Sequence, residues 1–243
     1  MLKEVDWPNS GVYRSGTEKE AVEFYLDAFQ NSNKLDLLLG YFSTSAIKLM
    51  SVGIASFIAN GGSMRIVINN ILTQKDKDLV KGDVYAASQI DLTNISKLSR
   101  ALSSSYDSHF YECLAYLVSQ RRIEFTVIAP SDGAGIAHYK SGCFYDDIGD
   151  SVYFKGSCNF SRNALINNLE EIDITRSWLN DGLAKVTGQI EYFEDILGDK
   201  LEVVKTIDAS HIEVALQEKF GNKDINDLLE SEISLQEDLI NEY

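Results

Sequence analysis

The sequence predicts a mixed α/β protein, a largely central β-sheet flanked by helices on both faces in an α/β/α sandwich. Three observations predict it. Residues 35–42, LDLLLGYF, and 63–69, SMRIVIN, are apolar runs of strand length separated by a helical stretch, which makes a βαβ unit and so a parallel pair. Runs at 137–146 and 151–155 flank the turn sequence DDIGD and read as a hairpin. Between and after these runs, several stretches carry apolar residues at helical spacing.

In chain order, residues 1–16 contain Trp7-Pro8 and two glycines and read as an extended arm. Thr17 with Glu20 three residues on forms a capping box, opening a helix to about Gln30 whose apolar face uses Ala21, Phe24, Tyr25 and Phe29. After the 35–42 strand, Ser43 or Thr44 caps a helix that ends near Gly61-Gly62, and the 63–69 strand follows. Residues 74–81 read as a short polar helix, 90–104 as a serine-rich helical piece, and 106–120 as a clearer helix. A strand at 123–129 ends in the turn Pro130-Ser131-Asp132-Gly133. Beyond the hairpin, Ser161 caps a short helix at 162–166, a strand runs from 171 to 176, and 179–197 is helical with Val186, Ile190 and Phe193 as a core stripe.

Residues 207–243 read as two helices broken at Gly221-Asn222, with Leu228, Leu229, Ile233, Leu235, Leu239 and Ile240 on a broad apolar face. The expected division is a first domain over 1–198 and an acidic helical C-terminal segment over 199–243, either packed on the domain or leading towards a further one. No internal repeat interrupts this order.

Composition sets bounds. The 243 residues are 44% hydrophobic and 24% charged, as in an ordinary globular protein. There is no apolar run long enough for a bilayer and no signal peptide at Met1-Leu2-Lys3-Glu4, so no membrane partner and a cytoplasmic home are expected. Three cysteines without metal-ligand spacing argue against a disulfide framework and a zinc site, and Cys113, Cys143 and Cys158 read as small apolar residues. His109 and His211 lie in helical stretches without partners at ligand spacing and read as core or surface histidines. The net charge of −15 is unevenly spread: residues 199–243 carry 12 acidic and 4 basic residues, a net −8, which leaves −7 for residues 1–198. Arg121, Arg122, Lys155 and Arg162 flank the stretch that carries the chemistry.

That stretch is 136–172, IAHYKSGCFYDDIGDSVYFKGSCNFSRNALINNLEEI. On a strand, a period of two sets His138, Lys140 and Gly142 on one face and Tyr139, Ser141 and Cys143 on the other. An imidazole beside a fixed ammonium supplies a nucleophile or proton carrier next to a positive charge, as phosphodiester chemistry needs. The turn Gly156-Ser157-Cys158-Asn159 can present the Asn159 amide to an anionic oxygen. The helix capped by Ser161 and opened by Arg162 offers backbone N–H groups to phosphate. Asn168 and Glu170, two apart, share a face.

HxK, then GSxN, then NxE resembles the signature of the phospholipase D (HKD) superfamily. The GSCNFS…NNLEE pattern is most similar to its nuclease branch, including domains found beside bacterial helicases and in some restriction enzymes. The resemblance implies a phospholipase D-like sandwich in which His138 attacks phosphorus to give a phosphohistidine, Lys140 and Asn159 hold the non-bridging oxygens, and Glu170 orients an imidazole. Ser157, Ser161, Arg162 and Asn168 are the expected substrate-binding residues. It implies no metal and no cofactor.

Two departures from the family pattern stand out. The aspartate of HKD falls on Tyr145, with Asp146 one place late, and that aspartate is largely structural in the family. Only one motif is present where the family builds a site from two, so a homodimer sharing one site is implied. The expected function is a metal-independent nuclease in a restriction or antiviral defence system, with nucleic acid as its partner and a helicase bound or fused to it. The alternatives are a lipid phosphodiesterase of the same superfamily and a non-catalytic dimerisation or docking module of a helicase-containing complex.

Overall fold

The computed structural model describes residues 1–40, 42–69, 89–90, 104–131, 139–156 and 171–242. Its centre is an eight-stranded mixed sheet. The strands are β1 (Val12–Arg14), β2 (Lys34–Leu39), β4 (Ser63–Asn69), β6 (Ile123–Pro130), β7 (Lys140–Tyr145), β8 (Ser151–Gly156), β9 (Glu171–Arg176) and β10 (Val204–Ile207), in the order β1-β9-β8-β7-β2-β4-β6-β10. A separate two-stranded pair joins β3 (Phe42–Ser43) and β5 (Gln89–Ile90). β2, β4 and β6 run parallel, as the βαβ pattern requires, and every other pairing is antiparallel.

Among the described residues the α-helices are α1 (Ala21–Gln30), α2 (Thr44–Ser51), α3 (Ile54–Ala59), α4 (Ser105–Ser119), α5 (Gly182–Leu197), α6 (Ser210–Phe220) and α7 (Ile225–Glu242). One sheet face, through Leu35, Leu37, Ile66, Phe144 and Phe154, buries against α1, α3, α4 and α6 in the main core. There Phe29 meets the edge of Phe144 at 5.0 Å between ring centroids, and Phe24 lies 5.1 Å from Phe154. On the opposite face, Leu38, Val67 and Ile128 pack against Phe193 and Ile196 of α5. Helices on both faces of a mixed sheet are the predicted sandwich.

Several elements differ from expectation. The N-terminal arm is built into the fold: Leu2–Glu4 forms a 3₁₀ turn, Leu2 and Trp7 are buried, and β1 pairs with β9. Thr17 and Glu20 do not cap α1. The Thr17 hydroxyl donates to the Arg14 and Lys19 carbonyls, Glu20 Oε1 accepts from Gly16 N, and the helix starts only at Ala21. The 35–42 strand stops at Leu39, and the helix expected to run to Gly61 is two, α2 and α3, broken at Val52-Gly53. α5 begins at Gly182 rather than 179 because the chain turns tightly there, and a Cβ at Gly182 would fall 2.0 Å from the Arg176 carbonyl oxygen.

At the C-terminal end, β10 extends the main sheet beside β6, and Ile212, Leu216 and Phe220 of α6 join the main core. α7 contributes Leu228, Leu235 and Leu239 to buried contacts, while Ile233 is exposed. Glu232 of α7 is buried, and its carboxylate accepts from Ala55 N at 2.6 Å and Ser56 N at 3.1 Å. It thereby satisfies the first N–H groups of α3, whose own Gly53 has no side chain to do so. The helices at 74–81 and 162–166, most of the 90–104 piece, and Cys158 lie outside the described residues.

His109, on α4, is 2% exposed with its Nε2 3.6 Å from Cys113 Sγ, and His211 is exposed. Burial pushes the His109 imidazole down from 6.5 to about 4, so the folded protein holds it neutral where the unfolded chain takes a proton. Its contribution to stability is complete above pH 6.5 and is lost as pH falls towards 4, by about 1.4 kcal/mol per pH unit at most. Urea midpoints at pH 7 and pH 4.5 should therefore converge more in His109→Gln than in the wild type. Equal pH dependence in the two proteins would remove this histidine from the account.

Candidate functional site

Register brings six strand ends to one end of the sheet. Lys140 at the start of β7 stands opposite Leu39 at the end of β2, Leu39 pairs with Ile68 near the end of β4, and Ile68 pairs with Val127 near the end of β6. On the other side, Ser141 pairs with Lys155 and Gly156 with Ile172, so β8 ends and β9 begins at the same end. Ligands in open α/β sheets bind beyond the carboxyl ends of the parallel strands, and this is that end.

Lys140 is the one candidate catalytic residue among those described; His138, Asn159 and Glu170, with Ser157, Ser161, Arg162 and Asn168, lie outside them. Their described neighbours nevertheless stand close together. Tyr139 follows residue 138, Gly156 precedes 157 and Glu171 follows 170, and these three stand at the adjoining ends of β7, β8 and β9. Two strand spacings, roughly 10 Å, separate β7 from β9.

The side-chain alternation follows the predicted period of two. Lys140, half-buried, and Gly142 share the face of Leu39 and Leu37, whereas Tyr139 joins the opposite cluster around Leu38. Gly142 is required by close approach. A Cβ there would lie 2.7 Å from Cε1 of Phe154 and 2.8 Å from the Asp36 carbonyl oxygen, so the Phe154 ring crosses the strand just below Lys140.

Asp146 is structural. It lies in the β7–β8 turn at the far end of the hairpin from Lys140, six residues along. Its Oδ1 accepts from Ile148 N at 3.2 Å and Asp150 N at 3.0 Å, and its Oδ2 accepts from Leu2 N at 3.0 Å. The side chain closes the turn and fastens the N-terminal arm to it.

Arg121 and Arg122 are corrected by the topology. They precede β6 at the end of the sheet opposite Lys140, where Arg122 N-η1 donates to the Ile58 carbonyl at 3.0 Å. Nearness in sequence to the motif strand placed them beside it, but β6 and β7 are not neighbours and their starts lie at opposite ends. Lys155 is exposed at the motif end on the side opposite Lys140, and Arg14 of the edge strand forms an ion pair with Glu171.

Sequence reasoning missed a buried ionic cluster under α5. Asp36, 2% exposed, receives both Nε and Nη2 of Arg65 at 2.7 Å and the Tyr145 hydroxyl at 2.8 Å. Arg65 also reaches Glu194 of α5 at 2.7 Å, and Lys34 stands 3.6 Å from Asp36. The bond to Asp36 above all, against some loss of solvation, holds the Arg65 guanidinium more firmly protonated than usual. Burial pushes the Cys143 thiol up to about 12 and the Tyr145 phenol above its ordinary range. Beside the cluster, a cavity of about 20 Å³ lined by Asp36, Ser141, Cys143, Tyr145 and Tyr153 has room for one water and not for a substrate. The signal was present in the sequence: one aspartate inside an apolar strand demands a buried partner.

Among the described residues, no three His, Cys, Asp or Glu side chains gather as a metal site, and no helix is long and apolar enough to cross a membrane. No family model matches the chain, and no curated protein does. Among solved structures, the chain is similar in fold to a phospholipase D family member, Nuc from Salmonella typhimurium, at 15% identity and a TM-score of 0.40, over 82% of this chain and 97% of that one. It is also similar to phosphatidylserine synthase from Haemophilus influenzae Rd KW20, at 17% identity and a TM-score of 0.44, over 85% of this chain and 44% of that one.

Proposed function

We propose that the chain is a phosphodiesterase of the phospholipase D type that cleaves nucleic acid through a histidine nucleophile. What carries the reading is that HxK, GSxN and NxE occur in that order and that the described residues bordering them stand on three adjacent strand ends, beyond the carboxyl ends of a parallel sheet. In this mechanism an imidazole nitrogen of His138 bonds to phosphorus, and the bond from phosphorus to the leaving oxygen breaks. His138 of a second copy gives that oxygen its proton. Water then attacks the phosphohistidine, passes its proton to the second imidazole, and the phosphorus–nitrogen bond breaks. Lys140 and Asn159 hold the non-bridging oxygens, Ser157, Ser161, Arg162 and Asn168 hold the substrate, and Glu170 fixes the tautomer of an imidazole. A homodimer sharing one site supplies both histidines. The net charge of −15 favours weak binding by the chain alone, with a helicase partner or fused domain supplying affinity within a restriction or defence complex.

The test is incubation of the purified protein with labelled DNA, labelled RNA and phosphatidylcholine vesicles in EDTA over a range of salt. Nucleic acid is expected to be cut without metal, with rates falling steeply as salt rises. Cutting that stops in EDTA and returns with Mg²⁺ would overturn the mechanism. Turnover of the lipid alone would overturn the substrate class.

A further inference from the structure

We propose that Tyr192 of α5 is a positioning residue that acts through Tyr139 to fix the direction in which Lys140 projects; the inference rests on the functional reading above and adds a residue to it. Tyr139 stands between the two motif residues in the sequence. Its hydroxyl is 2.6 Å from that of Tyr192, and the two rings are 6.1 Å apart at a tilt of 59°. Both rings pack on the apolar cluster of Leu38, Val67, Ile128 and Phe193. This hydroxyl pair is a polar contact between α5 and the start of the motif strand.

The strand start needs such a contact. Lower down, β7 is held by ladders on both sides, but the described register with β8 begins at Ser141, opposite Lys155. Above that point Tyr139 keeps the bond from Gly40 N to its carbonyl at 2.8 Å, on the β2 side. A strand end can swing about its axis, and a swing there redirects every side chain it carries. Pinning Tyr139 to the α5 side sets Lys140 to the other side, because successive side chains alternate. Burial, and then the bond itself, push the Tyr192 phenol up to about 12, so its hydroxyl keeps its proton across the range in which a histidine works.

The expected signature is loss of turnover without loss of binding, since a reacting group displaced by about 1 Å can cost on the order of a hundredfold in rate. Removing either hydroxyl breaks the same bond, so the two losses should not add. The experiment uses bis(p-nitrophenyl) phosphate with the wild type, Lys140→Ala, Tyr139→Phe, Tyr192→Phe and the double Phe variant, together with hydrogen exchange of the peptide spanning 138–142.

Each Phe variant should lose about tenfold or more in kcat with KM within about twofold, and the double variant should be no slower than either single one. The 138–142 peptide should exchange at least about tenfold faster in both, with the rest of the sheet unchanged. If the wild type turns over, Lys140→Ala does not, and Tyr192→Phe keeps full kcat, the positioning role is overturned while the functional reading stands. If the wild type is silent towards every diester, the functional reading fails. The clamp is then decided by exchange alone: unchanged protection of 138–142 in Tyr192→Phe overturns it, and faster exchange supports it.

Discussion

Lys140→Ala should lower phosphodiester turnover by roughly a hundred- to a thousandfold, the usual loss when one preorganised group facing a developing oxyanion is removed. The expectation follows from where the neighbouring cations stand. Lys155 projects from the opposite side of the sheet, Arg14 is paired with Glu171 on the edge strand, and Arg121 and Arg122 lie at the far end. None of these reaches the face that Lys140 shares with Leu39. The check is kcat for a diester alongside the melting temperature, which should hardly move. Retained turnover would show that a cation from outside the described residues, or from a second chain, holds the phosphate.

Arg65→Met is expected to destabilise the fold by about 3 kcal/mol, at the low end of what breaking a buried ion pair costs, because Asp36 is left buried with, among the described residues, the Tyr145 hydroxyl and a more distant Lys34. For a chain of this size that is a fall of roughly 6–12 °C in melting temperature. Adding Asp36→Leu should restore most of the loss, since a well-packed apolar pair replaces a buried pair of charges at little cost. Urea unfolding of the two variants decides the matter. A single variant as stable as the wild type would mean that the cluster contributes nothing, and a double variant worse than the single would mean that packing under α5 governs the site.

Legibility in the sequence tracked length and burial. β4 and β9 have the bounds that their residue patterns indicated, because a buried strand of six or seven residues declares its period. β1 and β10 were missed. Each is an edge of three or four residues whose strand character comes from β9 and β6, and VYR or VKTI alone says little. The break at Val52-Gly53 is likewise tertiary: Gly53 lies where a Cβ would be 3.0 Å from Phe29 Cβ, a constraint set by α1.

For the candidate site, the motif residues could be read from type and spacing, and the alternation about Lys140 is as the period of two required. Direction along the sheet could not be read, which is why Arg121 and Arg122 were placed beside the motif. The partner of Asp36, too, sits on another strand 29 residues away, where no local pattern points to it.

The way the first strands are enclosed governs how the chain reaches this structure. Leu2 N–H is bonded to Asp146 across 144 residues, β1 waits for β9, and β2 lies between β4 and β7, whose sequence is more than 100 positions further on. Such a sheet has a high contact order, and the entropy of closing those loops must be met before the long-range contacts reward it. During synthesis the β2 edge facing β7 stays open until residues 140–145 have emerged from the ribosome, so the nascent chain carries an apolar strand edge while the whole stretch between Leu39 and Lys140 is made. A folding helper that shields strand edges, or slower elongation over the hairpin, would act on that interval more than on the finished molecule.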